Sequence, residues 1–363
     1  MKPLYVVGTR RDVGKTTTCI GLIGAFRERG LTVGYMKPLG QRLTTIHGEH
    51  YENDTLVIVQ GMDMSSSKVP MAVPLPRGRV EEEVKDLHED RLAERITDTF
   101  EELSEKHDVV LVEAMGHVAA GACVKLSSGD VASLLGAKVL LICGGGIGST
   151  IDDIALCATF LSARGAELMG AAVNKVWPEK FRRVREATMK GLDNLGIRSI
   201  GTMPYEETLA FPTMRQVTEQ LDGQVCCGHE TMTNRVGETY VAAMEPQHMV
   251  AYLKDRSLVI TPGDRSDNIL AILSMHMLDK ATERPVSGLI LSGGFRPAGK
   301  VMSLLAESGL PVILCKGDTH TVAAQLQEMV FKIAPDDVER IGAAVCLVDE
   351  YMDVDAIIEG LKE

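Results

Sequence analysis

Near the start of the chain, Gly8-Thr9-Arg10-Arg11-Asp12-Val13-Gly14-Lys15-Thr16 holds the residue types that phosphate chemistry requires. A phosphate chain is held by inward-facing backbone N–H groups, the positive end of a helix, a lysine for its terminal oxygens and a hydroxyl for a magnesium ion. This stretch offers all four between an apolar run and a helical pattern, and so reads as a P-loop. Gly8, Thr9, Asp12, Val13 and Gly14 form the cradle, Lys15 brings the ammonium, and Thr16 and Thr17 bring hydroxyls. Five residues separate Gly8 from Gly14, one more than the strict motif has.

Such a site also needs carboxylates to hold or orient the metal, typically at a strand end facing the loop. Glu113, directly after Val109-Val110-Leu111-Val112, is so placed. Asp54, in Glu52-Asn53-Asp54, is a second candidate, and for each the competing assignment is an exposed carboxylate. Lys37, in Gly34-Tyr35-Met36-Lys37-Pro38, ends another strand, where it either meets a phosphate or carboxylate or snorkels past the sheet edge. Gly144-Gly145-Gly146-Ile147-Gly148-Ser149-Thr150 is either a second anion cradle or a glycine-rich turn whose Thr150 or Asp152 caps the next helix.

The elements that must position these groups follow from periodicity. Short apolar runs at 4–7, 33–36, 109–112, 139–143, 169–173 and 199–202 alternate with amphipathic stretches at 16–29, 90–107, 151–164 and 179–195. That order predicts an α/β fold: a mostly parallel sheet with helices on both faces, of P-loop NTPase type. The acidic stretch 81–105 and the basic stretch 180–190 read as solvated helix faces. After Pro204 the pattern loosens, and a second, smaller α/β series begins near Arg235, with strands expected at 258–261, 288–292, 312–315 and 344–348. The expected division is 1–212 for the first domain, 213–230 for a linker, 231–345 for the second domain and 346–363 for a helical tail.

With 363 residues and 45% hydrophobic composition, the chain has material for a substantial core, and two domains are the natural count. A net charge of −12 argues against a nucleic-acid partner, because backbone phosphates are bound by an excess of Lys and Arg. The start resembles no leader peptide and no apolar run is long enough to span a bilayer, so the expectation is a cytoplasmic protein with no membrane partner. Eight scattered cysteines imply no disulfide framework. Cys226-Cys227-Gly228-His229 reads as a turn or as half of a metal site, and His47 and His50 as solvated loop residues.

The run GTRRDVGKTT, then GYMKP, Asp54, VLVEAMG, AAVNKV and GTMPYEE resembles dethiobiotin synthetase over about residues 1–210. That resemblance implies that Lys15 and Thr16 bind ATP and Mg2+, that Asp54 and Glu113 complete the metal site, and that Lys37 serves catalysis with Lys15. It further implies that Asn174 reads adenine, that Pro204 is the nucleotide-binding proline that follows the next strand, and that the chain forms a homodimer. The chain departs from that family in Arg10, Arg11 and Leu39-Gly40-Gln41. Arg10 stands where partitioning ATPases carry a signature lysine, which makes a partition-like role a third option.

Residues 230–335 resemble a DRTGG domain, through Leu258-Val259-Ile260-Thr261-Pro262-Gly263-Asp264-Arg265, Gly288-Leu289-Ile290-Leu291-Ser292-Gly293-Gly294 and Gly317-Asp318-Thr319. Together the two parts are similar to the N-terminal, non-catalytic part of long bacterial phosphotransacetylases, so acetyl transfer is not expected of them. Asp264, Arg265, Gly293, Gly294 and Asp318 stand at strand ends as a candidate pocket, with Asp264 and Arg265 equally a structural pair. The resulting expectation is a MgATP-binding regulatory protein that also meets a small-molecule anion. The alternative is an ATP-dependent ligase acting on a carboxylate or carbamate.

Overall fold

A computed structural model describes residues 1–41, 43–46, 49–64, 71–278, 286–329 and 331–363. The chain forms two compact units, Met1–Leu209 with Ile333–Glu363, and Ala210–Lys332.

In the first unit the apolar runs become strands β1 (Leu4–Gly8), β2 (Val33–Gly40), β5 (Met71–Pro74), β6 (Val109–Glu113), β7 (Lys138–Gly144), β8 (Glu167–Val176) and β9 (Ser199–Pro204), while β3 (Leu43–Ile46) and β4 (Glu49–Glu52) form a separate hairpin. The seven strands run in the order β5-β2-β6-β1-β7-β8-β9, and every pairing is parallel. Side chains alternate across a strand, so both faces must be covered. Leu4 and Val6 of β1 enter one core with the helix Lys15–Glu28, and Tyr5 and Val7 enter the other with the helices Glu89–Ser104 and Gly148–Ala163. The expected strands of this unit fall within these elements, and the expected helices overlap Lys15–Glu28, Glu89–Ser104, Gly148–Ala163 and Phe181–Asn194, whereas β5 is a four-residue apolar run closed by Pro74 and the hairpin is mostly polar.

Residues 333–363 overturn two expectations. The stretch 344–348, expected as a strand, lies inside the helix Val338–Tyr351, and the tail does not stand apart from the first unit. Gly21 and Gly24 explain why: a Cβ on Gly21 would stand 2.3 Å from Val348 and one on Gly24 would stand 2.5 Å from Val345. The P-loop helix therefore offers a bare stripe into which the C-terminal helix packs. An apolar run of five residues fits a buried helix face as well as a strand, which is how the periodicity misled.

The second unit has a five-stranded sheet, with β10 (Gln224–Cys227), β11 (Thr239–Val241), β12 (Ser257–Pro262), β13 (Val286–Ser292) and β14 (Val312–Leu314) in the order β10-β14-β13-β12-β11. Only the β10–β14 pairing is antiparallel. The stretch expected as a linker, 213–230, instead carries the helix Met214–Gln220 and strand β10. Thr213 and Gln216 form a capping box there, and Met214 and Val217 are buried, so these residues belong to the core of the unit. Among the described residues no helix is long and apolar enough to cross a membrane.

Candidate functional site

The loop after β1 turns sharply because Asp12 and Gly14 both take positive φ, 56° and 100°. A Cβ at Gly14 would stand 2.2 Å from the Asn174 amide nitrogen, so only glycine fits. The loop is braced from β8: the Asn174 amide donates to the Val13 carbonyl at 2.9 Å, and Lys175 Nζ donates to the Asp12 carbonyl at 2.7 Å. From β7, the Ile142 carbonyl accepts from the Thr9 amide at 2.9 Å, and Thr9 Oγ1 lies 3.3 Å from Cys143 Sγ. Gly14 opens the helix Lys15–Glu28, with no side-chain cap and no acidic residue in its first turn among the described residues. Its leading amides face out of the helix as donors for an anion.

Lys15 is buried and donates to the Gly116 carbonyl at 2.7 Å. Burial pulls its pKa below that of an ordinary lysine, against the opposing field of Glu113. Thr16 Oγ1 donates to Glu113 Oε1 at 2.7 Å, and the Tyr35 hydroxyl donates to Glu113 Oε2 at 2.8 Å. Burial, helped by Glu113, holds the Tyr35 hydroxyl well above its usual pKa, so that it remains a donor. Thr17 is half-buried in the same helix turn.

Lys37 lies at the centre of a buried charge cluster. Its Nζ donates to Glu52 Oε1 at 3.0 Å and to Asp54 Oδ2, and stands 3.9 Å from Glu113 Oε1. Burial alone would lower its pKa; Glu113, Asp54 and Glu52 outweigh burial and leave it raised. Lys37 is only 4% exposed, which disposes of a snorkelling lysine. Asp54 and Glu113, 6% and 1% exposed, are not surface carboxylates. The structure thus brings Lys15, Thr16, Lys37, Asp54 and Glu113 to one place.

Glu52 and Tyr35 are the members of this cluster that sequence reasoning left out. Both were visible beside the chosen residues, in Glu52-Asn53-Asp54 and Gly34-Tyr35-Met36-Lys37, but nothing in their spacing says which way they face. Glu52 caps the helix Asn53–Gly61, its Oε2 accepting from the amides of Asp54 at 2.7 Å and Thr55 at 3.3 Å. Burial raises its pKa despite the nearby Lys37.

Other candidates lie outside the cluster. Pro204 ends β9, and the next amide, of Tyr205, bonds the Val176 carbonyl at 2.7 Å. Trp177 stacks on Tyr205 with ring centroids 4.5 Å apart. Arg10 turns away to Asp153, at 2.9 Å through Nε. In the second glycine-rich turn, Thr150 Oγ1 bonds the Gly144 carbonyl at 3.0 Å, and no side chain caps the helix Gly148–Ala163 among the described residues. Gly228 takes φ 73° where the chain leaves β10, a turn rather than a ligand arrangement. His47 lies outside the described residues.

In the second unit the two glycines that follow β13 are bonded to the loop after β14, whereas the buried Thr261 hydroxyl at the end of β12 has no hydrogen-bond partner among the described residues. The Gly293 amide bonds the Gly317 carbonyl at 2.8 Å and the Gly294 amide bonds the Cys315 carbonyl at 2.9 Å. Arg265 pairs with Asp267 at 2.9 and 2.8 Å, which replaces the expected Asp264–Arg265 pair. Asp318 caps the helix Thr319–Glu328 through the Thr321 amide at 2.9 Å.

A family model described as an AAA domain matches residues 2–213, and one described as a DRTGG domain matches residues 216–329. The phosphate acetyltransferase of Nitratidesulfovibrio vulgaris is 27% identical over 364 residues, covering 96% of this chain and 50% of that protein. That of Nitrosomonas europaea is 29% identical over 354 residues, covering 94% and 49%. The chain spans about half the length of these curated relatives. Among solved structures, the MinC:MinD cell division protein complex of Aquifex aeolicus matches at 14% identity and a TM-score of 0.38, covering 58% of this chain and 84% of that one. The CBS and DRTGG domains of the regulatory region of Clostridium perfringens pyrophosphatase, solved with the activator diadenosine tetraphosphate, match at 19% identity and a TM-score of 0.27, covering 33% and 46%. The chain belongs to the AAA domain family, as a P-loop domain followed by a DRTGG domain, and both parts lie within the half of the phosphate acetyltransferases that it resembles.

Proposed function

We propose that this chain is a MgATP-binding regulatory module, in which nucleotide bound by the first unit sets a conformation that the DRTGG unit transmits. The observation that carries the proposal is the uncapped helix start at Gly14 with Lys15 and Thr16 beside the buried Glu113. Amides of residues 12–17 and the Lys15 ammonium would hold the phosphates. The donor set, one hydroxyl and hard carboxylates, fits Mg2+, which Thr16, Asp54 and Glu113 would hold. Bound there, the ion would neutralise phosphate charge. Thr16 and Glu113 already share a hydrogen bond, so the hydroxyl is aimed at the carboxylate that would share the ion.

By resemblance to dethiobiotin synthetase, the nucleoside would lie towards Asn174 and Pro204. Asn174 braces the loop through one N–H of its side-chain amide, and the other would serve the base. A homodimer is part of the same proposal, since paired subunits are the commonest soluble assembly. The ligase reading, in which Lys37 stabilises a phosphorylated carboxylate or carbamate, draws support from the place of Lys37 beside Glu113. No acetyl transfer is assigned to these residues.

The test is calorimetric titration of the full chain with MgATP, coupled to hydrogen exchange. Binding accompanied by altered exchange at 261–267 and 293–294 is expected, because a ligand shifts an equilibrium only through unequal affinity for its states. Binding without any exchange response beyond residue 210, together with carboxylate-dependent turnover of ATP, would reverse the ranking in favour of the ligase. Light scattering that gives a 39.3 kDa monomer at micromolar concentration would remove the dimer.

A further inference from the structure

The cluster around Lys37 holds more carboxylate than a metal site needs. Lys37 faces three carboxylates, Glu52, Asp54 and Glu113, and Lys15 adds a second ammonium in the field of Glu113 and Asp54. A divalent cation taking up Asp54 and Glu113 accounts for two of the three. Glu52 has a separate job: one oxygen is fixed by the Asp54 and Thr55 amides and the other meets Lys37 at 3.0 Å. It is 2% exposed and tied to the backbone at the start of a helix, so it cannot swing away as a flexible surface acid would. An ammonium has three N–H donors. Glu52 and Asp54 take two, and the nearby Glu113 bears on the third.

We propose that Glu52 is the specificity-determining residue of this site: its fixed carboxylate fills the place on Lys37 that an incoming carboxylate or carbamate would have to take. The site then accepts nucleotide phosphates with their metal and rejects a second small anionic substrate. The physical reason is twofold. The newcomer would have to displace an already satisfied, desolvated ion pair, and it would enter the field of like charges at close range. When the metal draws on Asp54, Glu52 remains to neutralise Lys37, so the ammonium never becomes free for a second ligand. This inference rests on the nucleotide reading and sharpens it, because it accounts in one residue for a P-loop site without ligase chemistry.

The experiment compares wild type, Glu52→Gln and Glu52→Asp, each as the full chain, by calorimetric titration with acetate and with bicarbonate, first without nucleotide and then at saturating Mg2+ and a non-hydrolysable ATP analogue. Aspartate remains a strong helix cap while withdrawing its charge from Lys37, so it keeps the test open should the glutamine variant fold poorly. Wild type is expected to show no anion binding in the millimolar range. The variants are expected to gain binding at least tenfold tighter than any wild-type signal, and Lys37→Met placed on either variant should abolish the gain. Anion binding by wild type as tight as by the variants overturns the proposal, and so does a folded aspartate variant that gains none. Failure of wild type to bind the analogue would instead sink the nucleotide reading, and the nucleotide-free titrations would still decide the role of Glu52.

Discussion

The two units end their strands in opposite ways. In the P-loop unit, β1, β2, β4 and β6 carry or lead into buried charged side chains: Lys15, Lys37, Glu52, Asp54 and Glu113 are all under 10% exposed. In the DRTGG unit, β12 and β13 lead into glycines whose amides are bonded to neighbouring loops, and the charged residues Arg265, Asp267 and Asp318 pair locally at the surface. Desolvated charge is costly and persists in a fold when it is compensated internally or by a ligand. Satisfied backbone carries no such demand. The first unit is thus built around groups that a ligand can engage, and the second around loops that hold one another.

The largest way to break this contrast is Lys37→Met. It leaves three desolvated carboxylates without their central cation, and removing one partner of a buried pair costs about 3–5 kcal/mol. Urea unfolding at neutral pH should show a loss of that order. Lowering the pH should recover part of it. Glu52 has a folded pKa above its unfolded value, so it costs stability at neutral pH, and that cost is relieved as the pH falls through the raised value. A stability change under 1 kcal/mol would mean that the cluster is solvated and the contrast is false.

The next effect concerns binding rather than folding. Lys15→Ala should weaken MgATP at least tenfold, since a charged hydrogen bond is worth about 1.5–3 kcal/mol. Trp177 is the sole tryptophan and is 55% exposed at the end of β8, so nucleotide at the loop braced by Asn174 and Lys175 should change its fluorescence. The pH dependence has a definite sign. The folded pKa of Lys15 lies below its ordinary 10.5, so the unfolded chain binds more protons in the window beneath 10.5, and the Lys15 contribution to stability rises with pH there. Nucleotide affinity should fall over the same window as the ammonium is lost. Equal affinities of wild type and variant at neutral pH contradict the assignment of the loop.

A backbone change in the other unit should be felt mainly in that unit. Gly293 takes φ 79°, and a Cβ there would stand 3.0 Å from the Phe295 ring. Gly293→Ala should therefore cost roughly 1–2 kcal/mol, the usual strain of a left-handed residue. Thermal unfolding measures this, and MgATP affinity in the folded population should change less than tenfold, only as far as the substitution biases the state that nucleotide favours, because coupling is reciprocal. A loss as large as that of Lys15→Ala would break the contrast between the units.

Legibility followed the same division. β1 with its phosphate loop, and β6 with Glu113, were readable because a long apolar run followed by a charged or glycine-rich end has few other meanings. The inward orientation of Glu52 was not readable, because it depends on a hairpin and a helix cap that place an acid beside Lys37 from a distant strand. The C-terminal helix resembles a strand in sequence because Ala344, Val345 and Val348 meet Gly21 and Gly24 while the exposed Cys346 happens to complete an apolar run of five. The linker was misread because glycines and cysteines at 223–228 look like a turn, while β10 gains its pairing from β14, far along the chain.

The smallest effect tests the surface side of the contrast. Arg265 embraces the Asp267 carboxylate with two hydrogen bonds, and that contact lowers the Asp267 pKa from 3.8 to about 2. A depressed carboxylate contributes stability that is present above 3.8 and lost as the pH falls through about 2. Both groups are solvated, so the contribution is screened and falls with salt. Arg265→Ala should raise the Asp267 pKa towards 3.8 in an NMR titration while leaving the neutral-pH melting temperature within experimental scatter. Asp267 should nonetheless remain somewhat below 3.8, because it lies in the first turn of the helix Ser266–Leu278, whose positive end favours its anion. A melting-temperature loss comparable to that of Lys37→Met would show that this pair carries the weight of a buried one, and the distinction between charge-storing and self-satisfied strand ends would no longer hold.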